Sequence, residues 1–275
     1  MIDLHLHSTA SDGRLSPTDL VDTVAAAGVR VMAVTDHDTT AGVDEVRTRA
    51  AHHRIDVVPG IEITAVEEGR DIHVLGYFLE PGDARLEAFL RSQRASRVTR
   101  VEEIAARLDM LGMPIDLETV LAEVPQGSGR AVGRPQVARA MIRAGYVEDV
   151  QEAFTRWLAT DCPAFVPRQG PPPERVIDIV HELGGVASLA HPGRTQIDDR
   201  IDGLRRAGLD ALEAFHSDHT PVEQLRYARL ALHTGMLLTG GSDFHADPNR
   251  PVRPASATLP EEHWPALAAA RLRYA

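Results

Sequence analysis

Histidines and carboxylates recur in this chain at the ends of short apolar runs. His5 and His7 close IDLHLH, and Asp12 follows within HLHSTASDG. His37 closes VMAVTDH, Glu62 closes VVPGIE, His191 closes VASLAH, His216 closes ALEAFH, and Asp243 with His245 closes MLLTGGSDFH. His73 stands apart, inside DIHVLGYF rather than at its end. The pair at positions 5 and 7 carries the clearest signal, because residues i and i+2 of a strand face one side and can chelate one ion. Imidazole and carboxylate without thiolate suit Zn²⁺, Mn²⁺ or Fe²⁺. Cys162 is the single cysteine, which excludes an internal disulfide and a cysteine-rich zinc site. The candidates His5, His7, Asp12, His37, Glu62, His73, His191, Asp243 and His245 are too many for one ion, so two or three divalent metal ions are expected. Only three of them are carboxylates, so the centre would carry excess positive charge and demand anions. Clustered ions of this kind activate water and neutralise the leaving oxygen in phosphoryl transfer.

Such residues meet only if the elements that carry them bring their ends together. Pro17 opens a helical pattern, TDLVDTVAAA, that Gly28 ends, and VMAVT then reads as a strand. A helix from about Val43 to His52, the strand IDVVPGIEI, a hairpin around Glu68 to Arg70 and the strand DIHVLGYF follow. The second half repeats the rhythm. Helices near Pro173–Leu183, Asp199–Arg206 and Val222–Thr234 alternate with VASLA, DALEAF and MLLTG. Alternating strands and helices imply a parallel sheet, open or closed into a barrel, and a barrel presents its C-terminal strand ends on one face. Between the halves, from about Ala84 to Asp161, no strand pattern appears. Leu86, Leu90, Val101, Ile104, Leu108 and Leu111 keep a helical period there, followed by GRPQVARAMIRAG and EDVQEAFTRWL. The expected organisation is therefore a barrel from residues 1–83 and 162–275, with a helical insertion at 84–161 acting as a substrate lid.

Composition bounds the function classes. A length of 275 residues with 43% hydrophobic content can bury a large core. All the basic residues are arginine, so Schiff-base chemistry and a P-loop are excluded. A net charge of −11 argues against gripping long nucleic acid through a diffuse basic surface, although residues 84–170 alone are close to neutral and leave room for a small anionic substrate. No apolar run is long enough to span a membrane and the N-terminus does not read as a signal peptide, so a cytoplasmic protein is expected. No obligate protein partner is evident.

Taken in order, HLHSTASDG, VTDHDT, GIEI, HVLGY, AHP and GGSDFH resemble the metal-binding motifs of the PHP (polymerase and histidinol phosphatase) superfamily. Within it, GRPQVARAM, EAFTRWL and PAFVPR are similar to the branch of bacterial phosphoesterases that hydrolyse nucleoside 3′,5′-bisphosphates, some of which trim short oligonucleotides from the 5′ end. The resemblance implies a distorted (β/α)₇ TIM-like barrel with a small helical insertion. It implies one metal on His5, His7, Glu62 and Asp243, a second on Glu62, His73 and His191, a third on Asp12, His37 and His245, and a bridging hydroxide that attacks phosphorus. His216 is expected to assist the leaving group or a phosphate, in a catalytic set with the ligands His191 and Asp243. Arg134 and Arg168 match positions that hold substrate phosphate, and Arg134 follows Gly133 at a helix start, where free N–H groups share an anion. Arg130, Arg194 and His219 are further candidates of the same sort. Gln136 departs from the branch, which commonly has histidine there, and this leaves nucleotide specificity open.

The expected activity is metal-dependent removal of the 3′-phosphate from nucleoside 3′,5′-bisphosphates, such as adenosine 3′,5′-bisphosphate to AMP. The alternative is 5′-to-3′ exonuclease action on short RNA or DNA, with histidinol-phosphate hydrolysis behind it. Amidohydrolase-like C–N hydrolysis commonly relies on a carbamylated lysine, and this chain has none. A non-catalytic metal-binding module predicts decayed ligand motifs, and all of them are intact.

Overall fold

In the computed structural model, which describes residues 1–124 and 132–274, the chain begins as strand and helix in alternation. The first elements are β1 (Ile2–Asp3), α1 (Pro17–Ala26), β2 (Val31–Val34), α2 (Val43–His53), β3 (Asp56–Glu67) and β4 (Arg70–Tyr77). A helical segment follows: α3 (Ala84–Met110), α4 (Leu117–Ala122), α5 (Arg134–Arg143) and α6 (Val150–Ala153), which runs on as a π-helical turn at Phe154–Leu158. The alternation then resumes with α7 (Pro173–Glu182), β5 (Val186–Leu189), α8 (Pro192–Thr195), α9 (Ile201–Arg206), β6 (Ala211–His216), α10 (Pro221–Thr234), β7 (Leu237–Gly241) and α11 (Trp264–Ala270).

Helix limits follow local chemistry. The Ser16 side chain accepts the Asp19 N–H ahead of Pro17, and Thr220 with Glu223 forms a reciprocal capping box that opens α10. The strands form one seven-stranded sheet in sequence order, β1 to β7. Its two edges meet: Leu4 N–H donates to Gly240 O at 3.1 Å, Asp243 N–H to His5 O at 2.8 Å and His7 N–H to Phe244 O at 3.0 Å. The result is a nearly closed, TIM-like barrel.

The expected parallel sheet is interrupted at β4, where the hairpin expected around Glu68 to Arg70 reverses the chain. β4 runs antiparallel to both β3 and β5, whereas the other neighbouring pairs are parallel. The cause is local. Glu67 pairs with Arg70 across the two-residue turn Glu68–Gly69, with φ of 51° and 76°, as a tight hairpin turn of the right twist requires. The first strand is also shorter than IDLHLH suggested: its regular pairing with β2 stops at Asp3, after which Leu4, His5 and His7 bond the β7 side while Leu6 O still accepts Thr35 N–H at 2.8 Å.

The barrel core includes Leu4, Ile61, Ile63, Val74, Leu75, Leu189 and Leu212, all fully buried. A separate apolar cluster joins Val101, Ile104, Leu108, Val137, Met141 and Leu158 inside the helical segment. α3 belongs to both: Leu86 and Leu90 pack on the barrel and Val101 to Leu108 in the second cluster, along a helix about 40 Å long. Two glycines permit close backbone approach beside the site. A Cβ on Gly241 would lie 2.4 Å from the backbone nitrogen of His5, and one on Gly13 would lie 2.4 Å from the carbonyl of His7.

Candidate metal centre

One mouth of the barrel collects every metal candidate read from the sequence. His5 and His7 follow β1, His37 follows β2, His191 follows β5, and Asp243 with His245 follows β7. Glu62 lies within β3 where that strand runs past the end of β2, beside His37 in an isolated bridge. His73 sits near the start of β4, and the reversal of that strand is what brings its beginning, rather than its end, to the same mouth. Asp12 is carried by a loop that Asp36 ties down: its carboxylate accepts Ser8 N–H at 2.7 Å, Ser8 Oγ–H at 2.6 Å and Ser11 Oγ–H at 2.6 Å.

The spacing within this cluster is that of ligands around shared ions. Glu62 Oε2 lies 3.2 Å from His5 Nε2, 3.2 Å from His7 Nε2 and 3.1 Å from His37 Nδ1. Glu62 Oε1 faces the other way, 2.7 Å from His73 Nδ1 and 3.1 Å from His191 Nε2. Asp243 Oδ1 is 3.1 Å from His7 Nε2 and 3.4 Å from His5 Nε2. A third, more open group sets Asp12 Oδ1 3.3 Å from His245 Nε2 and Asp12 Oδ2 3.8 Å from His37 Nε2. Groups bound about 2.1 Å from one ion, at tetrahedral or octahedral angles, lie about 3.0–3.4 Å apart. Alignment supports the same reading. His7 Nε2, His37 Nδ1 and His73 Nδ1 are buried beside carboxylate oxygens yet make no hydrogen bond with them. Buried polar atoms are normally satisfied, so such orphans need a partner of another kind. The donor set fits divalent ions.

Electrostatics divides the histidines. Burial alone would pull His5 and His7 down, but the surrounding carboxylates outweigh it and hold His5 well above its usual value and His7 at about 10. Burial prevails at His37 and His191, which fall to about 4 against the partial pull of Glu62. Burial pushes Glu62 and Asp243 upward, but the histidines around them keep both well below the usual carboxylate range. The carboxylates and the imidazoles of His37 and His191 are therefore in the protonation states that ligate metal, whereas His5 and His7 hold protons that a bound cation would displace.

A cavity of about 760 Å³ opens beside the cluster. Asp12, His37, His73 and His245 form one wall, and Arg97, Gln136, Arg139 and Arg168 line the rest together with Arg14. A smaller pocket continues past Glu62, His191 and Asp243 to Arg194 and Arg250. Arg168, 8% exposed, donates to Asp71 Oδ2 at 3.0 Å and lies 3.6 Å from Asp38 Oδ2, which also pairs with Arg97. Arg194 Nη1 is 3.4 Å from Asp243 Oδ2.

Three expected substrate or catalytic groups are placed differently. The Arg134 guanidinium donates to Leu158 O at 3.2 Å and lies 5.5 and 6.0 Å from the Phe154 and Phe165 ring centroids, so it clamps the helical segment rather than lining the cavity. His219 spends both ring nitrogens on the backbone, donating from Nδ1 to Ala214 O at 3.0 Å and accepting Gly193 N–H on Nε2 at 3.1 Å. His216 is fully buried; its Nδ1 accepts Asp218 N–H at 3.0 Å and its Nε2 lies 3.4 Å from Asp243 Oδ2. Like His7 Nε2, this nitrogen is buried beside a carboxylate without a hydrogen bond to it. Arg130 lies outside the described residues. Residues absent from the sequence reading include Arg97, Arg250 and Glu213. Arg250 donates to Asp243 Oδ2 at 2.8 Å and Asp218 Oδ2 at 2.6 Å. Glu213 touches His5 and the backbone of His191. A carboxylate in the middle of the apolar run ALEAF was the only available signal for it.

Comparison with known proteins agrees with this geometry. A family model of the PHP domain matches residues 3–158. A 5′-3′ exoribonuclease of Haemophilus influenzae is 36% identical over 248 residues, covering 88% of this chain and 89% of that protein. A 3′,5′-nucleoside bisphosphate phosphatase of Chromobacterium violaceum is 31% identical over 252 residues, covering 89% and 87%. The crystal structure of a candidate metal-dependent phosphoesterase from Bifidobacterium adolescentis matches 98% of this chain and 95% of its own at a TM-score of 0.82 and 31% identity. With its motifs gathered at one barrel mouth and relatives that span nearly its whole length, the chain belongs to the PHP domain family and, with it, to the metal-dependent phosphoesterases.

Proposed function

We propose that this enzyme hydrolyses the 3′-phosphate of nucleoside 3′,5′-bisphosphates, adenosine 3′,5′-bisphosphate among them, to the 5′-monophosphate and inorganic phosphate. One observation carries the proposal: a buried imidazole–carboxylate cluster with ligand spacing forms one wall of a cavity whose other walls bear four arginines. In this reading His5, His7, Glu62 and Asp243 hold one ion, Glu62, His73 and His191 a second, and Asp12, His37 and His245 a third. The ions supply activation of water and neutralisation of charge on the phosphoryl group. Metal identity among Mn²⁺, Fe²⁺ and Zn²⁺ is not distinguished by this donor set.

The chain's own groups do the positioning. Glu62 joins the first two positions through its two oxygens. Arg97 and Arg168, held by Asp38 and Asp71, present guanidinium forks for the phosphate that is not cleaved. Arg194 faces the cluster from the other side, and His216 lies beside Asp243. The lid role of residues 84–161 belongs to the same reading, supported by the contribution of Arg97, Gln136 and Arg139 to the cavity. So does a cytoplasmic location. Among the described residues no helix is long and apolar enough to cross a membrane.

The exoribonuclease relative favours a second reading, cleavage of the corresponding 3′-side phosphodiester of short 5′-phosphorylated strands. The experiment is phosphate release by the Mn²⁺-loaded protein from a panel of nucleoside 3′,5′-bisphosphates, run beside mononucleotide release from a 5′-phosphorylated trinucleotide. No release across the bisphosphates with metal bound would remove the first reading. Faster cleavage of the trinucleotide would put the second in its place.

A further inference from the structure

We infer that Glu213 is a positioning residue of the metal centre, one buried carboxylate that selects the nitrogen His5 offers and fixes the turn that presents His191. The inference rests on the metal-centre reading above.

Glu213 lies in the interior of β6 with 0% exposure. The pairing of β6 with β7 slips between Glu213 and Phe215, the kind of irregularity that re-aims a strand side chain. Its two oxygens are used on two different ligands. Oε1 is 2.9 Å from His5 Nδ1, and Oε2 accepts the backbone N–H of His191 at 2.8 Å. Among the described residues no arginine pairs with it; the cost of burying this charge is offset by the histidines around it, His5, His216 and His191.

Each contact has a defined effect. A proton held on His5 Nδ1 for Glu213 leaves the lone pair on Nε2, the atom that faces Glu62 Oε2 at 3.2 Å and Asp243 Oδ1 at 3.4 Å. His191 occupies φ 28° and ψ 58°, a left-handed conformation that a residue with a Cβ avoids unless its surroundings impose it. The bond from its N–H to Glu213 holds that turn, and its Nε2 then lies 3.1 Å from Glu62 Oε1. One side chain thus orients a ligand on each side of the bridging carboxylate.

Glu213→Gln separates this role from packing because it keeps shape and loses one acceptor. The His191 N–H can only donate, so the amide oxygen must face it. The amide NH₂ then faces His5 Nδ1, which must accept, and the proton moves to Nε2, where it blocks the ligating position. Glu213→Asp keeps both acceptors but is too short to span them.

The test compares wild type, Glu213→Gln and Glu213→Asp, stripped of metal and titrated with Zn²⁺ or Mn²⁺ against a chromophoric chelator. Melting curves of the metal-free proteins and ¹⁵N imidazole spectra of the zinc-loaded ones accompany the titration. The expected result is a loss of metal affinity of about 10–100-fold in both variants, as for other groups that orient metal ligands. The metal-free melting temperature should move far less, and in Glu213→Gln the His5 proton should shift from Nδ1 to Nε2. Unchanged affinity, or a lower metal-free melting temperature with the His5 proton still on Nδ1, overturns the inference. A wild-type protein that binds no ion overturns the metal-centre reading itself, and the inference with it.

Discussion

Glu62→Gln tests the centre at the point where its positions join. Glu62 is 1% exposed, and the substitution preserves its volume. Its two oxygens divide five imidazole nitrogens between them, at 3.1–3.2 Å for Oε2 and at 2.7 and 3.1 Å for Oε1. An amide cannot serve both sides. Whichever way it turns, one side receives an NH₂ group, which cannot ligate, and the other a neutral oxygen in place of an anionic one. Disturbing a group that merely orients a ligand costs about 10–100-fold in metal affinity. Losing a ligand on one side and a charge on the other should reach the top of that range at both, about 2.7 kcal/mol per ion at about 1.4 kcal/mol per tenfold. Ions per chain can be counted by mass spectrometry after dialysis against chelator-treated buffer, with phosphate release followed as Mn²⁺ is added back. The variant should lose ions that the wild type retains and turn over about 10²–10⁴-fold more slowly at limiting metal. Equal ion counts, with turnover within about threefold of wild type, would mean that these contacts do not arise from shared ions.

Arg168→Ala should raise KM about 10–150-fold with little change in kcat, because a charge-assisted hydrogen bond contributes about 1.5–3 kcal/mol. Arg134→Ala should leave KM near wild type and lower the melting temperature, since its guanidinium holds Leu158 O and two aromatic rings; equal KM effects for the two variants would refute this division. Asp210, at the opposite end of β6 from His216, accepts Ala187 N–H at 3.0 Å, His181 Nε2–H at 2.8 Å and Tyr274 Oη–H at 2.9 Å. Burial raises its pKa, but these donors outweigh it and leave it depressed. A depressed carboxylate adds stability above its unfolded pKa of about 3.9, and that stability is lost as pH falls through the folded value. Asp210→Asn should therefore destabilise by about 1–3 kcal/mol at neutral pH, read by denaturant melts, with the gap to wild type closing in acid. A gap that widened in acid would contradict the sign.

The site was legible where chemistry sits at strand ends. His37, His191 and Asp243 stand immediately after apolar runs, and the parallel course of β2, β5 and β7 makes those ends neighbours. The helices were legible because Pro17, Pro173 and Pro221 open them and Gly28, Gly184 and Gly235, with φ between 74° and 79°, close them. β4 was readable as a strand reversed against β3 by the hairpin around Glu68 to Arg70, but its antiparallel pairing with β5 was not, since a strand–helix rhythm argues for parallel neighbours. Glu213 stayed hidden because a lone acid in a strand reads as outward-facing, and its partners His5 and His191 lie far from it in sequence. Arginine type alone could not separate Arg97 and Arg250, which line the cavities, from Arg134, whose ring contacts exist only once the helical segment has folded.

The barrel is closed by the two ends of the sheet, and the metal position proposed on His5 and Asp243 would straddle that join, with His5 on one lip and Asp243 on the other. Asp3 already laces the lips, accepting Ser242 N–H at 2.9 Å and Ser242 Oγ–H at 2.7 Å. A cation held by His5 and Asp243 together binds only the zipped form, so its occupancy feeds directly into resistance to unzipping through mass action. On that reading, removing metal would do more than silence chemistry: it would loosen the hoop at the join of β1 and β7.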